Sequence, residues 1–253
     1  MWVLGLHAPA RSLFSATLGR QAALARKKMR EFYGELIQPG ALVFDVGANV
    51  GVLSATFASL GARVVAVEPN ADCVRHIQLS YPEKDIQVIQ AAAGQSNGLI
   101  VLNVADEFDG RSSVSNEWMN TIGEQDGSFR GIWSRQDVVP MLTLDTLIEN
   151  FGMPQFIKID VEGFEESVLS GLSVQPSVLS FEFHLTFLPA AMRCLDMDIF
   201  ASGSAYNFVC NPEWGYPARF EYEHWLDKEG LKKALQGLGG ADPQGDIFVI
   251  APG

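Results

Sequence analysis

Val43-Phe44-Asp45-Val46-Gly47-Ala48-Asn49-Val50-Gly51 is the stretch whose reading decides the fold. An apolar strand ends on an acid, the chain turns through two glycines, and a helix opens at Val52-Leu53-Ser54-Ala55-Thr56-Phe57-Ala58. A second apolar strand, Arg63-Val64-Val65-Ala66-Val67, ends on Glu68. Strand, glycine turn, helix and strand with a terminal acid form a βαβ nucleotide-binding unit. The glycines let the backbone approach a ligand, and the second acid can accept hydrogen bonds from both ribose hydroxyls.

Asp45 discriminates between ligands. A dinucleotide brings a pyrophosphate to this turn, held by backbone N–H groups and the helix N-terminus. A carboxylate just before the glycines repels it. S-adenosylmethionine carries a sulfonium and an ammonium instead, and an acid attracts both. The spacing is also G-x-x-x-G, not the G-x-G-x-x-G of dinucleotide sites. Both observations favour the methyl donor.

Downstream, Pro69-Asn70-Ala71-Asp72 starts a helix ending at Pro82, and Ile86–Ile89 reads as a third strand. Leu99–Val104 reads as an additional strand after a turn. From Ala105 to about Pro140 the periodicity dissolves into Gly, Ser, Asp and Asn, with scattered Trp118, Phe129 and Trp133. A segment this long without pattern is expected as a lid-like insertion. Within it Arg111, Ser112 and Ser113 are candidate substrate contacts. Thr143 caps a helix, with Asp145 structural in its first turn. Gln155–Ile159 is a strand ending on Asp160, and Val161-Glu162-Gly163 turns into the next helix. Ser177–Phe181 runs into Glu182-Phe183-His184, where period two puts Glu182 and His184 on one side. Tyr206–Cys210 and Asp246–Ala251 complete seven strands. Upstream, residues 12–36 read as a helix stopped by Pro39-Gly40. The expected organisation is an N-terminal helical extension over 1–40 and a binding domain over 41–253. The expected fold is an α/β doubly wound, seven-stranded sheet with an antiparallel last strand.

Composition narrows the function. A net charge of −12 argues against a nucleic-acid partner, because phosphate binding needs clustered Lys and Arg. Three cysteines without C-x-x-C spacing give no zinc motif or disulfide framework, so a cytoplasmic location is expected. No run reaches the ~18 apolar residues of a membrane span.

Ligands of open α/β sheets bind beyond the carboxyl ends of the strands. Asp45, Glu68, Asp160 with Glu162, and Glu182 with His184 all fall there. The first two suit the cofactor and the others project toward a methyl acceptor. An alcohol is a poor nucleophile, so a base within reach assists it. His184 titrates near ~6.5 unperturbed and is the candidate base, with Asp160 and Glu182 as further catalytic candidates. Asp160, Glu162 and Glu182 are hard oxygen ligands able to share a divalent cation; a site without metal is the favoured expectation.

The motifs Phe44–Gly51, Val67-Glu68-Pro69-Asn70, Thr143-Leu144-Asp145 and Lys158-Ile159-Asp160-Val161-Glu162-Gly163-Phe164-Glu165 resemble those of the FkbM-type methyltransferases. The resemblance covers about Leu36 to His184. It implies a class I methyltransferase fold, S-adenosylmethionine as donor with S-adenosylhomocysteine as product, and a hydroxyl acceptor on a sugar, polyketide or other natural product. By the resemblance Asp45, Gly47, Asn49 and Gly51, with Ala48 between them, contact the methionine end. Glu68 takes the ribose with Asn70 close by, Ala91 and Ala92 approach the adenine, and Asp160 adjoins the cofactor. Trp214 joins the substrate candidates as an aromatic in an irregular segment. The competing classes are an NAD(P)-dependent oxidoreductase, which Asp45 disfavours, and a non-catalytic cofactor-binding protein, which four acidic strand ends disfavour.

Overall fold

The computed structural model describes residues 23–105, 112–115, 118–121, 133–210, 219–239 and 244–253. Residues 23–34 form helix α1; the remainder of the expected leading helix lies outside the described residues. There follow β1 (Leu42–Val46), α2 (Val52–Ser59), β2 (Arg63–Val67), α3 (Ala71–Ser80) and β3 (Ile86–Ile89). Next come β4 (Ala92–Ala93), β5 (Gly98–Ala105), β6 (Trp133–Leu142), α4 (Leu144–Phe151), β7 (Phe156–Ile159) and α5 (Glu165–Ser170). The chain continues through β8 (Val178–His184), a 3₁₀ turn (Leu185–Phe187), α6 (Leu188–Leu195), β9 (Ala205–Cys210), α7 (Lys228–Gln236) and β10 (Gln244–Ile250).

Seven of these strands form one sheet in the order β3-β2-β1-β7-β8-β10-β9. Pairings from β3 to β8 are parallel, and β10 enters antiparallel to both β8 and β9. This is the class I methyltransferase arrangement, a doubly wound sheet whose strand order reverses between β1 and β7. The parallel strands are buried on both faces, which explains why β1, β2 and β7 are nearly continuous apolar runs. Phe57, Phe156 and Phe248 pack with α1 on one face. Phe44, Ile157, Phe181 and Phe208 pack on the other, with α6 and α7.

Local chemistry places the helix starts. Asn70 caps α3 by accepting the Asp72 N–H at 3.0 Å, and Asp227 caps α7 by accepting the Gly230 N–H at 2.7 Å. Thr143 caps α4 by accepting the Thr146 N–H at 3.0 Å. Asp145 is structural as expected: its carboxylate accepts from the Ser173 N–H and hydroxyl, fastening α4 to the loop after α5.

One expectation is corrected. The patternless reading extended to about Pro140, but Trp133–Leu142 is a strand, paired antiparallel with β5 along most of its length. With β4 these strands make a separate three-stranded sheet. Polar residues on β6 and the adjacent Val138–Val139 pair mask its alternation. Val139 is buried and Val138 is 68% exposed, so the two valines face opposite ways.

Lys158 stands in the middle of the main sheet, 1% exposed. Its ammonium is 2.8 Å from Asp246 on β10 and 3.2 Å from Asp160 at the end of β7. Burial pulls its pKa down, but the two carboxylates outweigh this and hold it well above the ordinary lysine value. The pair joins β7 to β10 across the intervening β8.

Candidate functional site

The turn after β1 is shaped by backbone proximity. Gly47 sits at φ +82, and a Cβ there would lie 1.7 Å from the Asp160 carbonyl oxygen at the end of β7. Only glycine permits that approach. The Gly47 and Ala48 N–H groups donate to the Val67 carbonyl at 2.9 and 3.2 Å, fixing the turn against β2. Asn49 is left-handed, at φ +49. Its N–H donates to Glu68 Oε2 at 2.8 Å, while the Asn70 N–H donates to Glu68 Oε1, also at 2.8 Å. Each carboxylate oxygen is thus held by one amide and keeps a further lone pair. Burial pushes the Glu68 carboxyl up to about 7, against the lowering effect of those two amides.

These groups line a cavity beyond the ends of β1, β2 and β7, bounded by Gly47, Asn49, Glu68, Asn70, Asp160 and Glu162. Ala91, Ala92 and Ala93 line it with small side chains. Ser112 lines it and reaches the Asn70 carboxamide at 3.4 Å and the Ala105 N–H at 3.1 Å.

Three residues expected at the cofactor lie behind this cavity. Asp45 is buried and accepts a 2.5 Å hydrogen bond from Ser54 on α2; burial lifts its carboxyl to about 6 despite that bond. Ala48 is buried against Ile77. Gly51 is the left-handed N-cap of α2, and a Cβ there would lie 2.7 Å from Ile77 on α3. Its requirement is therefore packing. Period two explains Asp45: with Val46 last in the strand, its side chain faces α2, not the open end.

The loop after β7 forms the seam to a second cavity. Glu162 and Gly163 are consecutive left-handed residues, at φ +53 and +88. Glu165 holds them, its Oε1 accepting from the Val161 and Gly163 N–H groups at 3.1 and 3.3 Å. Glu165, in the first turn of α5, thus shapes this loop. Ser113 is buried and donates to the Glu162 carbonyl at 2.8 Å, so its role here is to hold the loop. Trp118 packs under Gly163, where a Cβ would approach its side chain to 2.6 Å.

Beyond the seam lie Glu182 and His184, each with a side chain about one-tenth exposed and with 3.4 Å between His184 Nε2 and Glu182 Oε1. They share their cavity with Trp118, Phe183 and Phe187. Burial and the nearby Asp160 raise the Glu182 carboxyl well above its usual range, with His184 opposing in part. Ligand atoms of Glu162, Glu182 and His184 lie within 4.8 Å of one another. The two cavities therefore meet at Glu162, which lines the first and adjoins the pair in the second.

Arg111 and Trp214 fall outside the described residues. The sequence reading missed Cys73, whose thiol contacts Asn49 Oδ1 at 3.5 Å, and Phe164, both lining the first cavity. Neither carries a signal in sequence. Lys158 did carry one: a lysine between Ile157 and Ile159 in a central strand has to be buried and paired.

The family model described as Methyltransferase FkbM domain matches residues 45–208. Comparison with curated proteins gave no match. Among solved structures, the chain resembles a precorrin-6Y C5,15-methyltransferase from Geobacter metallireducens at 14% identity, covering 91% of this chain and 87% of that one, with a TM-score of 0.42. It also resembles a TehB-like SAM-dependent methyltransferase from Corynebacterium glutamicum at 12% identity, covering 95% and 98%, with a TM-score of 0.42. An rRNA methylase from Streptococcus thermophilus aligns at 10% identity over 88% and 94%, again with a TM-score of 0.42. Among the described residues, no helix is long and apolar enough to cross a membrane.

Proposed function

The chain belongs to the FkbM family of S-adenosylmethionine-dependent methyltransferases, and on that premise we propose that it methylates a hydroxyl oxygen of a small molecule. The observation carrying this reading is the convergence of Glu162, Glu182 and His184 beside the cofactor cavity. Methyl transfer is an in-line displacement at the sulfonium carbon, needing alignment above all. A neutral amine attacks without further help, whereas an alcohol has to shed a proton, and these side chains supply the means.

In this reading the adenosyl ribose hydroxyls donate to the spare lone pairs of Glu68, and the adenine lies against Ala91 and Ala92. The methionine end lies along Gly47, Asn49 and Asp160. Asp45, one layer below, contributes negative potential toward the donor's cationic end without touching it. The acceptor occupies the second cavity with its hydroxyl at the Glu162 seam. In the protein without metal, Glu182 and His184, 3.4 Å apart, are the groups placed to take its proton. The net charge of −12 favours neutral or cationic acceptors over nucleic acid. The described cysteines are unpaired, in keeping with the proposed cytoplasmic location.

The test is an acceptor screen with S-adenosylmethionine, reading S-adenosylhomocysteine release and product mass. Sugars, phenols and polyketide alcohols are compared with matched amines. Oxygen-methylated product is expected, with turnover falling about 10²- to 10⁴-fold in His184→Ala or Glu182→Gln. Methylation of the amines alone would sink the hydroxyl assignment.

A further inference from the structure

We infer that Glu162, Glu182 and His184 form a binding site for a divalent first-row cation at the seam between the two cavities. Each offers one ligand atom, and all three atoms lie within 4.8 Å of one another. Atoms sharing a cation at ~2.1 Å stand roughly 3.0–3.5 Å apart. The 3.4 Å between His184 Nε2 and Glu182 Oε1 already meets this spacing.

A second observation is independent of the grouping. Among the described residues, Glu182 Oε2 is buried with no hydrogen-bond partner, in a side chain only 11% exposed. A buried carboxylate oxygen without a donor is an energetic defect that a cation relieves. The rest of Glu182 is well anchored, in mid-register opposite Asp246. The third ligand is held by its loop: the Glu162 carbonyl is tied to Ser113, and the left-handed backbone at 162 and 163 fixes the turn.

The donor set selects the ion. Carboxylates suit Mn²⁺ and Mg²⁺, imidazole suits Zn²⁺, Fe²⁺ and their neighbours, and a mixed set suits a borderline divalent cation such as Mn²⁺. Three protein ligands leave coordination positions open. An acceptor hydroxyl bound in one of them is acidified and releases its proton to solvent, with His184 then serving as a ligand. This last role rests on the methyltransferase reading, whereas the binding site stands on the three side chains alone.

The experiment titrates the full chain with Mn²⁺ alone, following loss of the free-ion electron paramagnetic resonance signal. One Mn²⁺ per chain is expected, with affinity at least about tenfold weaker in Glu182→Gln and His184→Ala. Circular dichroism melts confirm that both variants fold. Absence of binding at millimolar Mn²⁺, or unchanged affinity in folded variants, overturns the site. The two readings fail separately. A chain that methylates hydroxyls after chelation and dialysis, and binds no Mn²⁺, refutes the cation and keeps the methyltransferase. A chain that binds Mn²⁺ through these residues but methylates only amines keeps the site and refutes the hydroxyl acceptor.

Discussion

Replacing Glu68 with glutamine separates the structural and ligand-binding roles of the most constrained acid in the cofactor cavity. Its two oxygens each accept one amide, from Asn49 and Asn70, at 2.8 Å. A carboxamide has one acceptor oxygen, so one of the two N–H groups loses its partner, at about 1–3 kcal/mol. The substitution also removes a buried charge. Its carboxyl rises from 4.5 to about 7 on burial, which corresponds to roughly 3 kcal/mol at pH above both values. The two terms offset, and Glu68→Gln is expected to fold with stability near wild type at pH 8. Binding changes more. Two ribose hydroxyls donating to a carboxylate lose their charge assistance, about 1.5–3 kcal/mol, or roughly 10- to 150-fold in the Kd of S-adenosylhomocysteine. The sign of the pH effect follows from the raised carboxyl. The diol favours the ionised form, so binding below pH 7 expels a proton, and affinity rises from pH 6 to 8 before levelling. In the glutamine variant this rise is absent. Isothermal titration at pH 6, 7 and 8 measures it. Equal affinity of the two proteins, or an identical pH profile, would refute the assignment of Glu68 to the ribose.

Gly47→Ala places a Cβ against the Asp160 carbonyl in a left-handed backbone; strain and overpacking together are expected to cost about 2–5 kcal/mol. A wild-type melting temperature would contradict the close approach of β1 and β7. Asp246→Ala leaves Lys158 buried with one carboxylate partner fewer, and a loss of about 3–5 kcal/mol in chemical denaturation is expected; a change under ~1 kcal/mol would show that Asp160 suffices. Between pH 4.5 and 7 the native state holds a proton on Glu68 that the unfolded chain releases. Its contribution to stability therefore falls as pH rises through that window and is flat above it. Melts of wild type against Glu68→Gln isolate this term, and parallel profiles would count against the raised carboxyl.

The sheet was legible because its central strands are apolar runs ending on acids, and burial on both faces forces that pattern. Glu68 and the Gly47 turn were readable for the same reason. The direction of Asp45 was not legible, because a strand-end acid in sequence says nothing of which face it takes; here the side chain turns to Ser54. Gly51 was read as a ligand glycine, yet it answers to Ile77, a contact made by a later helix. The β6 strand hid because its pairing with β5 is long-range and because Arg135 and Asp137 share a face with buried Val139 while Val138 is exposed. The strand-end rule gathers Glu162, Glu182 and His184 at one edge in sequence, but that His184 rather than Asp160 joins the two glutamates is settled by side-chain directions only the fold fixes.

The central claim is that the cavity beyond β1, β2 and β7 takes S-adenosylmethionine. Calorimetric titration of the purified chain with S-adenosylhomocysteine and, separately, with NADH tests it most directly. One-to-one binding of S-adenosylhomocysteine with a micromolar Kd, and no heat from NADH, is the expected result. Binding of NADH alone would contradict it.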